Sequence, residues 1–299
     1  MRLPDEFLRY HERLLGREYD SFISHIQMHY NRWSLRVNTL KCEMSFVKKA
    51  LKEHRIEYAG MQWCDDCLWV GEGGLNTMEH QLGFYYIQTP MSMVPPVVLS
   101  PADGDRVLDL CAAPGSKTTH LAALMKNRGL LVANEPNFSR IRALVYNLQR
   151  CGVRNAIVTK SDGCRYSSLG QEFDRILLDA PCSDVGTVRK NPDALRRWSL
   201  ERVKRLSSLQ KRMIVDAYSM LKPGGSLVYS TCTTSLEENE QVIEHLLLKY
   251  DDAHLVRESP PGLEFMAGLT EKARDCIRIL PQHNDADSYF IAKVVKDED

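Results

Sequence analysis

Cys182 and Cys232 stand in two short segments, LLDAPCSDVGT (177–187) and VYSTCTTSLEENE (228–240), each just past a run that reads as a buried strand. Between residues 107 and 116 lies VLDLCAAPGS, a glycine–proline turn of the kind that opens a cofactor site. Two thiols beside one such turn suggest covalent chemistry on an electron-poor ring. A lone cysteine at a strand end is usually a small buried hydrophobe, and Cys42, Cys151, Cys164 and Cys276 are expected to be that.

The polar residues around the turn say which cofactor. Asp109 and Cys111 follow the run RVLDL (106–110), Glu135 ends GLLVANE (129–135), Asp162 ends NAIVTKSD (155–162), and Asp179 lies near the end of FDRILLDAP (173–181). Ligands of open α/β sheets bind outside the carboxyl ends of the strands, where these residues fall. Cys111, Ala112, Ala113, Pro114, Gly115, Ser116 and Lys117 then lead into a helix whose first N–H groups are free, and small residues let the backbone approach a ligand closely. With one glycine the turn matches neither G-x-G-x-x-G nor a P-loop, so pyrophosphate binding is poorly supported. Glu135 suits a ribose diol and Asp162 an adenine amino group. Taken singly, each acid is a helix cap or a loop residue; four in register on successive strands describe an adenosyl site without a phosphate cradle, which points to S-adenosyl-L-methionine.

That cofactor gives the thiols a task. C5 of cytosine is a poor nucleophile, but a thiolate adding at C6 turns the ring into an enamine whose C5 attacks an activated methyl. A free thiol is mostly protonated at neutral pH, so a neighbouring positive charge or helix dipole is needed. A carboxylic group that protonates or hydrogen-bonds N3 assists the addition, and Asp179 is placed for it. Afterwards the C5 proton leaves and the sulfur is expelled, which a second cysteine serves as general base. On the residues alone, either thiol can be the attacking one.

The elements that must hold these groups alternate. From Arg106 onward, strand and helix repeat in the manner of an α/β parallel sheet built from right-handed crossovers. LKPGG (221–225) reads as a helix end and turn before the strand GSLVYST (225–231), and HLVRE (254–258) and SYFIAKVV (288–295) read as edge strands. Upstream, residues 1–30 read as one or two short helices, and SLRVNTLK (34–41), EMSFVKKALKEH (43–54) and CLWVGEG (67–73) as a small β-α-β unit. The expected domains are therefore an accessory unit over 1–78 and the main α/β unit over 79–299.

Composition fits an intracellular protein. Lys plus Arg equal Asp plus Glu at 39 each, and no apolar stretch approaches the roughly 18 residues of a membrane span. The charged, helix-like N-terminus is not a signal peptide. Nine cysteines, an odd number, suit a reducing compartment in which thiols stay free, so a cytoplasmic location is expected. Cys64 and Cys67 suggest zinc or redox chemistry by spacing, but a structural zinc needs four ligands and no second pair is present, so no metal is expected. Residues 189–212 carry nine Lys or Arg against Asp193 and Glu201. Alone that is a solvated helix face; directly after Cys182 it suggests contact with RNA phosphates.

The long motifs RVNTLK, FYYIQ, VLDLCAAPGSKTTHLA, FDRILLDAPCS, GTVRKNPDALRRWS, LKPGGSLVYSTCT and EENE, in this order, resemble the Nop/Sun-type RNA cytosine-5 methyltransferases from about Leu35 to the C-terminus. The resemblance implies a class I (Rossmann-like) methyltransferase domain with a small N-terminal α+β domain resembling an RNA-recognition module. It makes Cys232 of the T-C motif the nucleophile and assigns product release to Cys182, and it places residues 111–117, Glu135, Arg140, Asp162 and Asp179 around the cofactor, with Lys117 orienting Asp179. After P-C the family usually reads S/T-G-x-G, where this chain has Ser183-Asp184-Val185-Gly186, and the D-G-F-F motif is here Asp287-Ser288-Tyr289-Phe290. The compact layout is most similar to archaeal tRNA enzymes, so a monomer acting on tRNA is expected, with ribosomal RNA the alternative. A non-catalytic RNA-binding or assembly factor on this fold would show decay at the thiols or cofactor acids, and neither has decayed.

Overall fold

A computed structural model describes residues 3–28, 32–71 and 75–298. Two sheets organise it. The smaller contains β1 (Trp33–Val37), β2 (Tyr58–Met61), β3 (Cys64–Val70) and β4 (Tyr85–Ile87) in the spatial order β2-β3-β1-β4, all antiparallel. Helix Met44–Glu53 follows β1 and buries Val47, Ala50 and Leu51, while the short helix Met78–Gln81 precedes β4. The chain thus runs β-α-β-β-α-β, the split βαβ arrangement. The expected β-α-β unit is present within it, though Glu72 and Gly73 of CLWVGEG lie outside the described residues. The boundary at residue 78 is corrected: Leu35, Arg36 and Val37 pair with Ile87, Tyr86 and Tyr85, so the small sheet continues to residue 87.

The second sheet holds β5 (Arg106–Asp109), β6 (Leu130–Asn134), β7 (Ala156–Thr159), β8 (Phe173–Asp179), β9 (Leu221–Thr231), β10 (Ala253–Val256), β11 (Met266–Ala267), β12 (Ile277–Ile279) and β13 (Tyr289–Lys296). Its order is β11-β12-β13-β9-β8-β5-β6-β7, with β10 also on β13. The five strands β5 to β9 are mutually parallel, and β13 runs antiparallel to β9. Order reverses between β5 and β8, so the switch point of this doubly wound sheet opens beside Asp109 and Asp179. The expected Rossmann-like α/β architecture is borne out.

Two strand expectations change. SYFIAKVV is no edge: β13 pairs with β9 on one side and with β12 and β10 on the other, and Tyr289–Ala292 are buried. LKPGG is not a free turn, because Leu221 is buried and pairs with Phe173, and the strand absorbs Pro223-Gly224-Gly225 as an irregularity in register. Helix Leu200–Ser219, capped by Ser199, packs Met213, Ile214, Ala217 and Tyr218 on this sheet.

Contacts between the units fix the site. Arg36 of β1, buried, donates to Thr119 Oγ1 at 2.8 Å and to the carbonyl of Ser116 at 3.3 Å, tying the small sheet to the helix after the glycine–proline turn. The N-terminal helices Asp5–Leu15 and Tyr19–Gln27 lie instead on the larger unit, where Phe7, Leu15, Phe22 and Ile26 cluster with Val185, Trp198, Val203 and Leu280. Cys64 and Cys67 are joined by a disulfide, so the expectation that all cysteines are free is corrected at this pair; the other seven are free. No helix among the described residues is long and apolar enough to cross a membrane.

Candidate active site

The turn after β5 is built from small residues under a tight roof. Gly115 has φ 106 and caps helix Ser116–Leu124, and a Cβ there would meet Leu144 Cδ1 at 3.2 Å and Asn147 Cβ at 3.4 Å. Ala112 and Ala113 are buried beneath it. Helix Phe138–Cys151 braces the turn from outside: Asn147 donates to the carbonyl of Pro114 at 2.9 Å, and Arg140 Nη2 to that of Ala113 at 2.6 Å. Arg140 also pairs with Glu135, Nη1 to Oε2 at 3.0 Å, while the N–H of Asn137 reaches Oε1 at 2.9 Å. Glu135 is buried, and a carboxylate with about four acceptor positions has two left for hydroxyl donors.

The remaining candidate acids divide. Asp109 is buried, takes the Thr118 hydroxyl at 2.7 Å, and burial pushes its pKa up to about 7. Asp162, exposed beyond β7, accepts the N–H of Cys164 at 2.9 Å, a local turn contact. Cys111 is held as a thiol by burial and then by Asp109 and Asp179, which push its pKa well up.

At the carboxyl end of β8, Asp179 collects three donors. Lys117 Nζ lies 2.7 Å from Oδ2; Ser230 Oγ and Tyr289 OH reach Oδ1 at 2.7 and 3.1 Å. The expected Lys117–Asp179 pairing is therefore present, and β9 and β13 add Ser230 and Tyr289, which the sequence reading did not single out. Its only trace of them was the Ser-Thr before Cys232 and the tyrosine in the terminal motif.

Just beyond, two loops bring the thiols together. Cys182 follows β8 and Cys232 follows β9, and parallel pairing of these strands, Asp179 opposite Ser230, sets both sulfurs at one edge, 3.3 Å apart. Three devices hold the loops in register. Glu238, fully buried, accepts the N–H and hydroxyl of Ser183 at 2.9 and 2.6 Å and Gln210 Nε2 at 3.1 Å. Gly186 donates to the carbonyl of Cys232 at 2.9 Å and accepts from the N–H of Ser288 at 3.0 Å. Glu240 forms a buried pair with Arg278, Nη2 to Oε2 at 2.6 Å, and Arg278 Nη1 reaches the carbonyl of Thr234 at 2.7 Å. The N-terminal helix closes the back of the loop, His11 Nε2 lying 2.7 Å from Thr234 Oγ1.

The thiols are not activated at rest. At Cys182 the hydrogen bond to Cys232 and burial push the pKa well up. At Cys232 the Cys182 hydrogen bond pulls it down, but burial and the Asp184 and Asp179 carboxylates outweigh that, leaving it above the ordinary thiol value. The basic stripe also divides: Arg189 pairs with Asp285 at 2.8 Å and Lys190 with Asp287 at 3.4 Å, whereas Arg196, which pairs with the exposed Asp193 at 2.9 Å, and Arg197, Lys204, Arg205 and Arg212 are exposed.

Comparison with known proteins agrees with this geometry. Residues 96–295 match the family model of 16S rRNA methyltransferase RsmB/F, and residues 3–90 match the N-terminal domain of 16S rRNA methyltransferase RsmF. The ribosomal RNA small subunit methyltransferase F of Vibrio atlanticus is 43% identical over 98% of this chain and 64% of its own length. That of Vibrio cholerae is 44% identical over 89% of this chain and 58% of its own. The chain thus spans less than two thirds of the length of these curated relatives. A methyltransferase homolog protein from Pyrococcus horikoshii superposes with a TM-score of 0.86 at 33% identity, covering 97% of this chain and 94% of that one. The fold alone is shared with NSun6 of the same organism, TM-score 0.89 at 23% identity. With its paired thiols at the ends of adjacent strands on a class I methyltransferase fold, the chain belongs to the RsmB/F family of 16S rRNA methyltransferases.

Proposed function

We propose that this chain transfers a methyl group to C5 of a cytosine in RNA through a covalent bond between Cys232 and C6. The observation that carries the reading is the pair of sulfurs 3.3 Å apart beside the Lys117–Asp179 pair. A cofactor with an adenosyl group suits the turn at residues 111–117: Gly115 lets the turn pack under helix Phe138–Cys151, its left-handed residue opens helix Ser116–Leu124, and Glu135 keeps acceptor capacity for a ribose diol. S-adenosyl-L-methionine held there supplies an electrophilic methyl. Arg140 orients Glu135 and the turn, and Asp162 lies at the end of β7 for the adenine edge.

Cys232 attacks C6, and Cys182, hydrogen-bonded to it at 3.3 Å, takes the C5 proton when the product is released, after its own proton has passed to solvent. Three donors on its two oxygens make Asp179 a hydrogen-bond acceptor, so it serves the exocyclic amino group of the ring, and the proton for N3 comes from the ammonium of Lys117 rather than from Asp179. A base buried this deeply must leave its stack, which favours loops and ends of RNA. The exposed Arg196, Arg197 and Arg205 offer phosphate contacts in the segment that follows the P-C loop.

Small-subunit ribosomal RNA is the favoured substrate, because the curated relatives carry that name. The tRNA preference read from the compact layout gains no support from them. Tritiated methyl transfer from S-adenosyl-L-methionine to unmodified small-subunit ribosomal RNA and to tRNA, in parallel, tests this. Label recovered as 5-methylcytosine in ribosomal RNA is expected; label confined to tRNA overturns the substrate, and label on another atom overturns the reaction.

A further inference from the structure

The loop after Cys182 departs from the family pattern at Asp184, and the structure shows where that acid goes. Its backbone is left-handed, φ 63, a conformation glycine adopts freely. Its Oδ1 lies 3.3 Å from Cys232 Sγ and 3.6 Å from Cys182 Sγ. A carboxylate so placed repels a thiolate, so it does not activate Cys232 by charge. What it can do at that distance is accept the proton.

We infer that Asp184 is the proton acceptor for the attacking thiol, an inference that rests on the reading of Cys232 as nucleophile. As a sulfur lone pair of Cys232 forms the bond to C6, the S–H bond breaks and its proton passes to Asp184 Oδ1. The C5–C6 π pair moves to C4–C5 and the C4–N3 π pair onto N3, which takes a proton from Lys117. The C4–C5 pair then takes the methyl that a bound sulfonium donor would give up, the S–CH3 bonding pair staying on that sulfur, and the C4–N3 double bond re-forms. The C5 proton passes to the sulfur of Cys182, whose own proton has left to solvent, which restores C5–C6 and expels the Cys232 sulfur with its bonding pair; the N3 proton returns to Lys117, and Cys232 recovers its proton from Asp184. The same carboxylate therefore serves the first and last proton movements at Cys232. Other ionisable groups that bear on the two thiols are Asp179 and Glu238, with Lys117 and Tyr289 held on Asp179. Glu238 and Asp179 are committed to their own donors, which leaves Asp184 as the acceptor aimed at the sulfurs.

Asp184→Asn keeps the side-chain shape and tolerates the left-handed backbone but accepts no proton, whereas Asp184→Gly opens the position to water. Single-turnover methyl transfer between pH 6 and 9 is compared with iodoacetamide alkylation of Cys232, followed by mass spectrometry, in the same proteins. Removing the carboxylate should let Cys232 alkylate at lower pH, while methyl transfer at neutral pH falls by about 100-fold in the Asn variant. Formate should restore part of the activity of the Gly variant in a concentration-dependent way and none in the Asn variant. Methyl transfer by Asp184→Asn at the wild-type rate and pH profile, with Cys232→Ala inactive, overturns the role of Asp184 alone. Activity retained by Cys232→Ala overturns the nucleophile and this inference together.

Discussion

Cys182 and Cys232 bring their sulfurs within 3.3 Å of each other although each belongs to a different loop, one after β8 and one after β9. Neither loop is rigid by its own sequence. Their separation is fixed by buried polar groups that reach across: Glu238 from the second loop grips Ser183 of the first, and Gly186 of the first bonds the carbonyl of Cys232 in the second.

Glu238 is therefore expected to matter for both stability and rate. Glu238→Ala strands the N–H of Ser183 and takes one partner each from its hydroxyl and from Gln210 Nε2, which keep Thr233 Oγ1 and the carbonyl of Pro181, a loss of about 1–3 kcal/mol. Glu238→Gln keeps the shape and loses less. Urea unfolding together with single-turnover rates checks this, with the Ala variant slower even at temperatures where it is fully folded.

Gly186 tests the same register sterically. A Cβ there would sit 2.5 Å from the carbonyl oxygen of Ser288 and 2.7 Å from that of Cys232, both backbone atoms that cannot swing aside. Gly186→Ala is expected to cost about 1–3 kcal/mol of stability and more than about tenfold in methyl transfer. Cofactor binding, measured by calorimetry, should stay close to wild type because the turn at 111–117 is untouched.

Glu135 separates cofactor binding from chemistry. Replacing it by Gln removes the charge that faces a ribose diol and loosens Arg140. A charged hydrogen bond is worth about 1.5–3 kcal/mol, so Kd for S-adenosyl-L-methionine should rise about 10- to 100-fold. Titration at fixed pH reads this directly, and RNA affinity measured in the same buffer should not move.

Asp109 gives a pH signature. Burial raises its pKa in the folded protein to about 7, above its ordinary value, so between those limits the folded state binds a proton that the unfolded chain has released. Its contribution to stability is complete at acid pH and is lost as pH rises through about 7. Asp109→Asn, which retains an acceptor for Thr118, should remove that decline. Urea midpoints at pH 5 and pH 8 should converge in the variant relative to wild type.

What the sequence disclosed follows from the range over which each signal acts. β5, β6, β8 and β9 are buried on both faces and read as apolar runs, so Asp179 and both thiols could be placed at strand ends. The glycine–proline turn was legible because a left-handed residue under a close-packed helix needs glycine. Ser230, Tyr289 and Glu238 were not, because each acts on a residue distant in the chain and nothing local marks a serine or glutamate as a partner for Asp179 or Ser183. The amphipathic pattern of Phe7, His11 and Leu15 announces a buried face without saying that it covers the T-C loop rather than the small sheet. SYFIAKVV reads as an edge because nothing local says that HLVRE, legible as β10, pairs with it, and the three residues of β12 leave little trace in sequence.

The central claim is that Cys232 bonds to the base and Cys182 releases it, and a denaturing gel tests it most directly. Cys182→Ala, incubated with radiolabelled small-subunit ribosomal RNA and S-adenosyl-L-methionine, should accumulate a protein–RNA adduct that survives denaturation. The double variant lacking Cys232 as well should form none. An adduct that instead persists in Cys232→Ala and vanishes in Cys182→Ala would contradict the account by exchanging the roles of the two thiols.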